Sequence, residues 1–291
     1  MKITLHGIGV QKEFFPQIGL LFKILKDKNI DINLTESLQK SLKKNDFPIK
    51  GLKSIKQKDT LKESDFVISI GGDGTLLDTV CLVGDNEIPI LGVNTGRLGF
   101  LATVAKENIE KSIDELIAGS FTIESRSLLK LESDIPLFNG LNFGLNEFTI
   151  HKRDTSSMIT VHTYINDLYL NSYWADGLIV ATPTGSTGYS LSCGGPLITP
   201  GARNFVITPV SPHNLNVRPI VVSDDNEISF KIEGRSEKFL ISLDSRSTPI
   251  DASVKLKVKK AEFSAKLVKF ASYSYFDTLR QKLNWGFDMR N

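Results

Sequence analysis

The residues best suited to chemistry in this chain are Gly71-Gly72-Asp73-Gly74-Thr75, which set a carboxylate inside a glycine turn. The turn follows an apolar run, Phe66-Val67-Ile68-Ser69-Ile70, that reads as a strand, and leads into Leu76-Leu77-Asp78-Thr79-Val80, which reads as a helix. Glycines let backbone N–H groups approach an anion, and the helix aims its positive end at the same point. A phosphate group suits such a turn, and Asp73 is the anomaly in it. Beside phosphate a carboxylate is repelled unless it meets a metal ion or accepts a proton from a hydroxyl nucleophile. The competing reading is a plain glycine turn in which Asp73 caps the next helix.

A second constellation follows Ala175-Asp176-Gly177 and the apolar strand at 178–181. It runs Thr182-Pro183-Thr184-Gly185-Ser186-Thr187-Gly188-Tyr189-Ser190-Leu191-Ser192-Cys193-Gly194-Gly195-Pro196. Small and hydroxyl-bearing residues bury little apolar area. They suit a surface that hydrogen-bonds a flat polar ligand, with Tyr189 supplying a ring that can stack on a base. The other reading is a crossover loop whose hydroxyls satisfy their own backbone. Asn146-Glu147, in a strand-like stretch at 143–150, pairs an amide with a carboxylate, although a strand Glu is commonly a solvated outward residue.

The elements that position these residues change character along the chain. Up to about residue 120, extended segments (3–6, 31–34, 66–70, 88–93) alternate with helical ones (14–28, 37–44, 107–117), which implies a parallel sheet covered on both faces. In such sheets ligands sit beyond the carboxyl ends of the strands, where both 71–75 and the loop at 94–100 fall. After 120 the pattern has period two. Ile159, Val161 and Ile165 share one face while Thr160, His162 and Tyr164 share the other, before an Asn166-Asp167 turn suited to a hairpin. Alternation returns at 228–232, 239–243 and 254–258, so this half is expected to be an antiparallel β domain. The stretch 276–285 reads as helix again. The expected domains are an α/β domain at 1–120, with 263–291 packing back onto it, and an antiparallel β domain at 121–262.

Composition narrows the partners. The chain has 291 residues, 41% of them hydrophobic, and 35 basic against 33 acidic side chains leave a formal charge of +2. No basic segment is interleaved with aromatics, so nucleic acid is not expected as a partner. Cys81 and Cys193 are far apart and lack the spacing of a metal or disulfide framework. No charged-then-apolar leader precedes the first strand and no apolar stretch approaches the roughly 20 residues of a membrane span, so a cytoplasmic protein without membrane contact is expected.

Together these segments resemble the NAD kinase (ATP-NAD kinase) family. Its Gly-Gly-Asp-Gly-Thr corresponds to 71–75, its Asn-Thr-Gly-x-Leu-Gly-Phe to 94–100, its Asn-Glu to Asn146-Glu147, and its long Asp-Gly-x(4)-Thr-Pro-Thr-Gly-Ser-Thr-Gly-Tyr-Ser-x-Ser-x-Gly-Gly-Pro to 176–196. The resemblance implies a Rossmann-like, doubly wound α/β domain followed by an antiparallel β-sandwich domain, in homodimers or homotetramers. It implies transfer of the ATP γ-phosphoryl group to the 2′-hydroxyl of the adenosine ribose of NAD, giving NADP, with Mg²⁺ or Mn²⁺. Asp73 would be base or orienting group, Gly72 and Gly74 would line the phosphate path, and Thr75 would bind substrate. Asn146 and Glu147 would hold ribose hydroxyls. Phe100, Thr187, Gly188, Tyr189 and Ser192 would form the adenine-side wall, Thr184 would bind substrate, and Asp176 would meet the nicotinamide end across a subunit interface. Arg97 and His213 would make phosphate or backbone contacts. Ala175 and Cys193 depart from the family's usual Gly and Ala by small changes in volume.

Three rivals are weaker on the same residues. A lipid kinase shares the glycine turn but wants an apolar acceptor pocket, which the hydroxyl-rich stretch at 182–192 does not offer. A dinucleotide sensor gains nothing from a carboxylate facing phosphate. A Rossmann dehydrogenase is hinted at only by Gly7-Ile8-Gly9, which lacks the third glycine of that fingerprint.

Overall fold

The computed structural model describes residues 1–49, 52–55, 61–96, 99–153, 157–236 and 238–286. The chain divides into two compact units, Met1–Ser125 with Ala265–Asn291, and Arg126–Ser264. In the first, strands β1 (Lys2–Gly7), β2 (Asp31–Thr35), β3 (Lys53–Ile55), β4 (Phe66–Gly71) and β5 (Ile90–Asn94) alternate with helices α1 (Phe15–Asp27), α2 (Glu36–Lys44), α3 (Asp73–Val83) and α4 (Ile109–Ile117). The strands pair in parallel in the order β3-β2-β1-β4-β5. Strand direction of travel through the sheet reverses between β1 and β4, and a doubly wound sheet takes its ligands at the carboxyl ends beside that reversal.

Burial explains the near-continuous apolar runs: Ile3, Leu5, Ile68, Ile70, Leu91 and Val93 are all buried. Helix pairs at three- or four-residue spacing, Leu21 with Leu25, Leu38 with Leu42 and Ile113 with Leu116, join the same core. Thr35 caps α2 by accepting from the Leu38 N–H. The short β3, with lysine at its first position, carries no period that sequence could reveal. From the far end of the chain, Leu267 pairs in parallel with Ile90, and Val268 and Phe270 enter this core ahead of a helix at Tyr275–Leu283.

The second unit is the expected antiparallel sandwich. Its strands are β6 (Thr122–Ser133), β7 (Phe143–Gly144), β8 (Glu147–Lys152), β9 (Ile159–Ile165), β10 (Leu168–Ala175), β11 (Gly177–Ala181), β12 (Asn204–Val210), β13 (Ile220–Ser223), β14 (Ile228–Glu233), β15 (Lys238–Leu243), β16 (Arg246–Asp251) and β17 (Leu256–Lys269), of which β6 begins and β17 ends in the first unit. One sheet runs β13-β12-β11-β8-β15-β16, the other β10-β9-β14-β17 with β6 and β7 beside β17. Phe148, Phe205 and Phe239 from one sheet and Val161, Ile228 and Val258 from the other share one core. Asn166 and Asp167 take φ of 49° and 64°, the double left-handed turn that closes the β9–β10 hairpin. Among the described residues no helix is long and apolar enough to cross a membrane.

Candidate active site

In the first unit the chain leaves β4 through Gly72, in extended backbone at φ −93°, and α3 begins at Asp73. A side chain at Gly71 would put its Cβ 2.2 Å from Thr75 Oγ1, so glycine is required for the helix to start this close to the strand. Asp73 does not cap its own helix. Its Oδ2 accepts from Phe100 N at 2.8 Å and its Oδ1 from Leu101 N at 3.1 Å and Ala102 N at 3.0 Å. The loop after β5 is therefore folded down on the carboxylate, and a Cβ at Gly99 would stand 1.9 Å from Asp73 Oδ1. This loop is pinned behind the clamp, with Val104 N donating to Gly92 O and Asn94 N to Val104 O. From the C-terminal segment, the Tyr273 hydroxyl donates to Phe100 O at 3.5 Å.

The carboxyl ends of β1, β4 and β5 surround a cleft of about 330 Å³, with Gly9, Gly72, Thr75, Thr95, Gly96 and Lys106 in its wall. Exposed Gly72 and Gly74 and the free N–H groups at the start of α3 suit an anion there. Lys106 is a cation that sequence reading passed over, because a lone lysine beyond the 94–100 motif carries no signal. Arg97 lies outside the described residues.

In the second unit Asn146 and Glu147 stand at the start of β8. Asn146 Oδ1 and Glu147 Oε2 are screened from solvent, and neither has a partner among the described residues. Gly188 lies against them, since a Cβ there would be 3.2 Å from Glu147 Oε2 and 3.9 Å from Asn146 Nδ2. Gly185 packs on the Asn146 backbone so closely that a Cβ would meet its carbonyl oxygen at 2.1 Å. Burial, and then the charge of Asp244, push the Glu147 carboxyl up to about 8, so it is protonated at neutral pH and can donate a hydrogen bond. Asp244 accepts from the N–H groups of Leu145, Asn146 and Glu147. Burial raises its pKa, opposed by those three bonds and by Arg246.

The hydroxyl-rich stretch divides between the two readings of it. It contains structure, a 3₁₀ turn at Thr184–Thr187 and a helical turn at Tyr189–Ser192. Several hydroxyls serve the fold: Thr182 donates to Leu145 O at 2.5 Å, Ser186 to Pro183 O at 2.7 Å, and Ser190 bonds Thr208 at 2.8 Å. Thr184 is buried, its Oγ1 accepting from Arg126 Nη1 at 3.3 Å, and Thr187 donates to Thr184 O at 3.2 Å. Gly188, Tyr189 and Ser192 remain accessible. Tyr189 stacks one face on His151, with ring centroids 5.5 Å apart and planes 21° apart. Burial lowers the His151 pKa.

The remaining candidates stand elsewhere. Asp176 is paired with Lys152 Nζ at 2.6 Å. His213 N donates to Trp174 O, and the two rings lie 4.4 Å apart, so its visible contacts are to an aromatic ring and a carbonyl. Phe100 and Asp73 belong to the first unit, and Asn146, Glu147, Thr184, Thr187, Gly188, Tyr189 and Ser192 to the second. Asp244, Arg246 and Arg126 were invisible in the sequence, where each is one more charged residue in a strand or turn.

The profile described as ATP-NAD kinase N-terminal domain matches residues 18–121, and that described as ATP-NAD kinase C-terminal domain matches 145–270. A protein of Cytophaga hutchinsonii named NAD kinase is 53% identical over 292 residues, covering 100% of both chains. One of Flavobacterium psychrophilum with the same name is 47% identical over 294 residues, again covering both chains fully. Among solved structures, an NAD kinase from Archaeoglobus fulgidus in complex with ATP superposes with a TM-score of 0.76 at 25% identity, over 98% of this chain and 99% of that one. Yeast NADH kinase complexed with NADH gives 0.89 at 20% identity, over 100% and 89%, a likeness of fold.

Proposed function

Because the chain belongs to the NAD kinase family and is a NAD kinase enzyme, we propose that it transfers the γ-phosphoryl group of ATP to the 2′-hydroxyl of the adenosine ribose of NAD, giving NADP. The observation that carries this reading is the clamp on Asp73: a carboxylate fixed by three backbone N–H groups at the mouth of a phosphate-sized turn. A carboxylate offers about four acceptor positions, so three such bonds leave roughly one, enough for a single hydroxyl. Asp73 then orients that hydroxyl and takes its proton late in the transfer. Phosphoryl transfer needs alignment and charge stabilisation more than covalent help.

The start of α3 and Lys106 hold the donor's phosphates along Gly72, Gly74 and Thr75. Asn146 and Glu147 hold the acceptor's ribose hydroxyls: the Asn146 oxygen accepts from one and the protonated Glu147 carboxyl exchanges bonds with the next. Tyr189, Gly188, Thr187 and Ser192 line the adenine side. Thr184 acts from beneath, as a buried support. Mg²⁺ or Mn²⁺ would arrive on the nucleotide, since Mg²⁺ keeps several waters when phosphates ligate it. When bound, Mg²⁺ or Mn²⁺ would supply charge neutralisation to the phosphoryl group in transfer. The same reading includes a cytoplasmic homodimer or homotetramer with Asp176 near the nicotinamide end. Leu168 and Leu215, 75% and 85% exposed on the second unit, are apolar area of the kind that subunit contacts cover.

The test is to incubate purified protein with ATP, Mg²⁺ and NAD, and to follow NADP with an NADP-specific dehydrogenase. Metal-dependent NADP formation is expected. A protein that binds both nucleotides and forms no NADP refutes the reading.

A further inference from the structure

We propose that Asp244, at the tip of the β15–β16 hairpin, is a positioning residue for the reaction: its carboxylate fixes the backbone at 145–147 so that the Asn146 amide and the Glu147 carboxyl converge on the acceptor sugar. The inference rests on the reading of Asn146 and Glu147 given above. Three consecutive N–H groups, of Leu145, Asn146 and Glu147, donate to Asp244 at 2.8, 2.8 and 3.1 Å. Asp244 N donates back to Glu147 O at 3.0 Å. From the same turn Arg246 donates to the carbonyls of Leu141 and Phe143 and lies over the rings of Phe138 and Phe143. One short turn thereby grips the chain on both sides of Gly144, where a Cβ would stand 3.0 Å from Asp244 Oδ1.

Two features set this turn apart from an ordinary hairpin connection. The hairpin accommodates Asp244 at φ 51° as it does Asp167, but the Asp244 carboxylate is turned onto three N–H groups of a segment about a hundred positions away rather than onto its own turn. In addition, the residues it grips carry Asn146 Oδ1 and Glu147 Oε2, two screened polar atoms with no protein partner among the described residues. Buried polar atoms are ordinarily bonded, so a segment held this firmly with two of them open is a segment kept in shape for a ligand. Geometry at this level has large kinetic leverage, because a misplacement of about 1 Å can cost about 10²-fold in rate.

Asp244→Gly, which suits the turn, and Asp244→Asn, which is isosteric, separate positioning from folding in the full-length protein. Both variants are expected to melt cooperatively. Amide hydrogen exchange at 145–147 should accelerate at least about 10-fold, the loss of roughly one charge-assisted bond, while Ile150 in the middle of β8 stays protected. With rates normalised to folded enzyme, KM for NAD should rise about 10-fold and kcat fall, with KM for ATP held within about 2-fold. Unchanged exchange at 145–147 overturns the proposal. So does a fall in kcat with both KM values unmoved, the mark of a purely structural role. If the wild-type protein forms no NADP, the sugar reading has failed by itself, and NAD affinity by calorimetry then decides: faster exchange with unchanged affinity overturns the positioning role.

Discussion

Gly99→Ala tests the clamp without touching a group that enters the chemistry. The added Cβ would stand 1.9 Å from Asp73 Oδ1 and 2.4 Å from Cγ, against about 3.4 Å for ordinary contact, so loop and carboxylate must separate by about 1.5 Å. The bonds at 2.8, 3.0 and 3.1 Å cannot all survive such a shift. Charge-assisted hydrogen bonds contribute about 1.5–3 kcal/mol each when fully formed. Asp73 is partly accessible, so water replaces part of what is lost, and a stability loss of about 1–2 kcal/mol is expected, or a few degrees in Tm. Activity should suffer far more, by about 10²- to 10³-fold in kcat/KM, because the displacement exceeds the roughly 1 Å that already costs about 10²-fold. The assay is NADP formation by folded enzyme beside its melting curve. Gly19→Ala, in the same unit and outside the cleft wall, is the control, since a Cβ there meets nothing within 4 Å. A double-mutant cycle with Asp73→Asn should be strongly non-additive, both changes acting through one carboxylate. Folded Gly99→Ala with turnover within about 3-fold of wild type would refute the account of Asp73.

Asp73→Asn should keep fold and NAD affinity, measured by calorimetry, and lower turnover at least about 10²-fold. Glu147, raised to about 8, binds its proton in the folded state above the ordinary carboxyl range, so its contribution to stability should fall as pH rises from about 4.5 to about 8 and level off beyond. His6, which burial lowers to about 4, contributes the opposite slope below about 6.5, so the check is the difference between urea titrations of the wild type and Glu147→Gln, which should fall with pH across the whole window. Arg246→Met removes two bonds to carbonyls of the 141–143 segment and should cost about 1–3 kcal/mol in urea unfolding, with little change in the affinity for ATP.

What sequence made legible follows from range. The strand, glycine turn and helix at 66–80 are local, since period, turn chemistry and breaker residues lie within fifteen positions, and the structure places each where the pattern puts it. The Asn166-Asp167 hairpin is legible for the same reason. The hydroxyl run was ambiguous because a hydroxyl bonds backbone and ligand equally well, and Thr182, Ser186 and Ser190 turned out to bond the protein itself. The two carboxylate clamps were beyond reach. Asp73 meets its donors 27 to 29 positions away and Asp244 meets Asn146 across 98. Neither separation leaves any period in the intervening residues.

The second unit is one unbroken stretch of chain, whereas the first is assembled from both ends of the polypeptide. During translation, residues 126–264 can leave the ribosome and close their core while the N-terminal sheet still waits for Val268 and Phe270. The nascent chain therefore carries an unsealed apolar edge beside β5 until its closing segment emerges, a period in which chaperone binding and aggregation compete with completion. Deletions from 265 onward would consequently wound the part of the enzyme that was synthesised first.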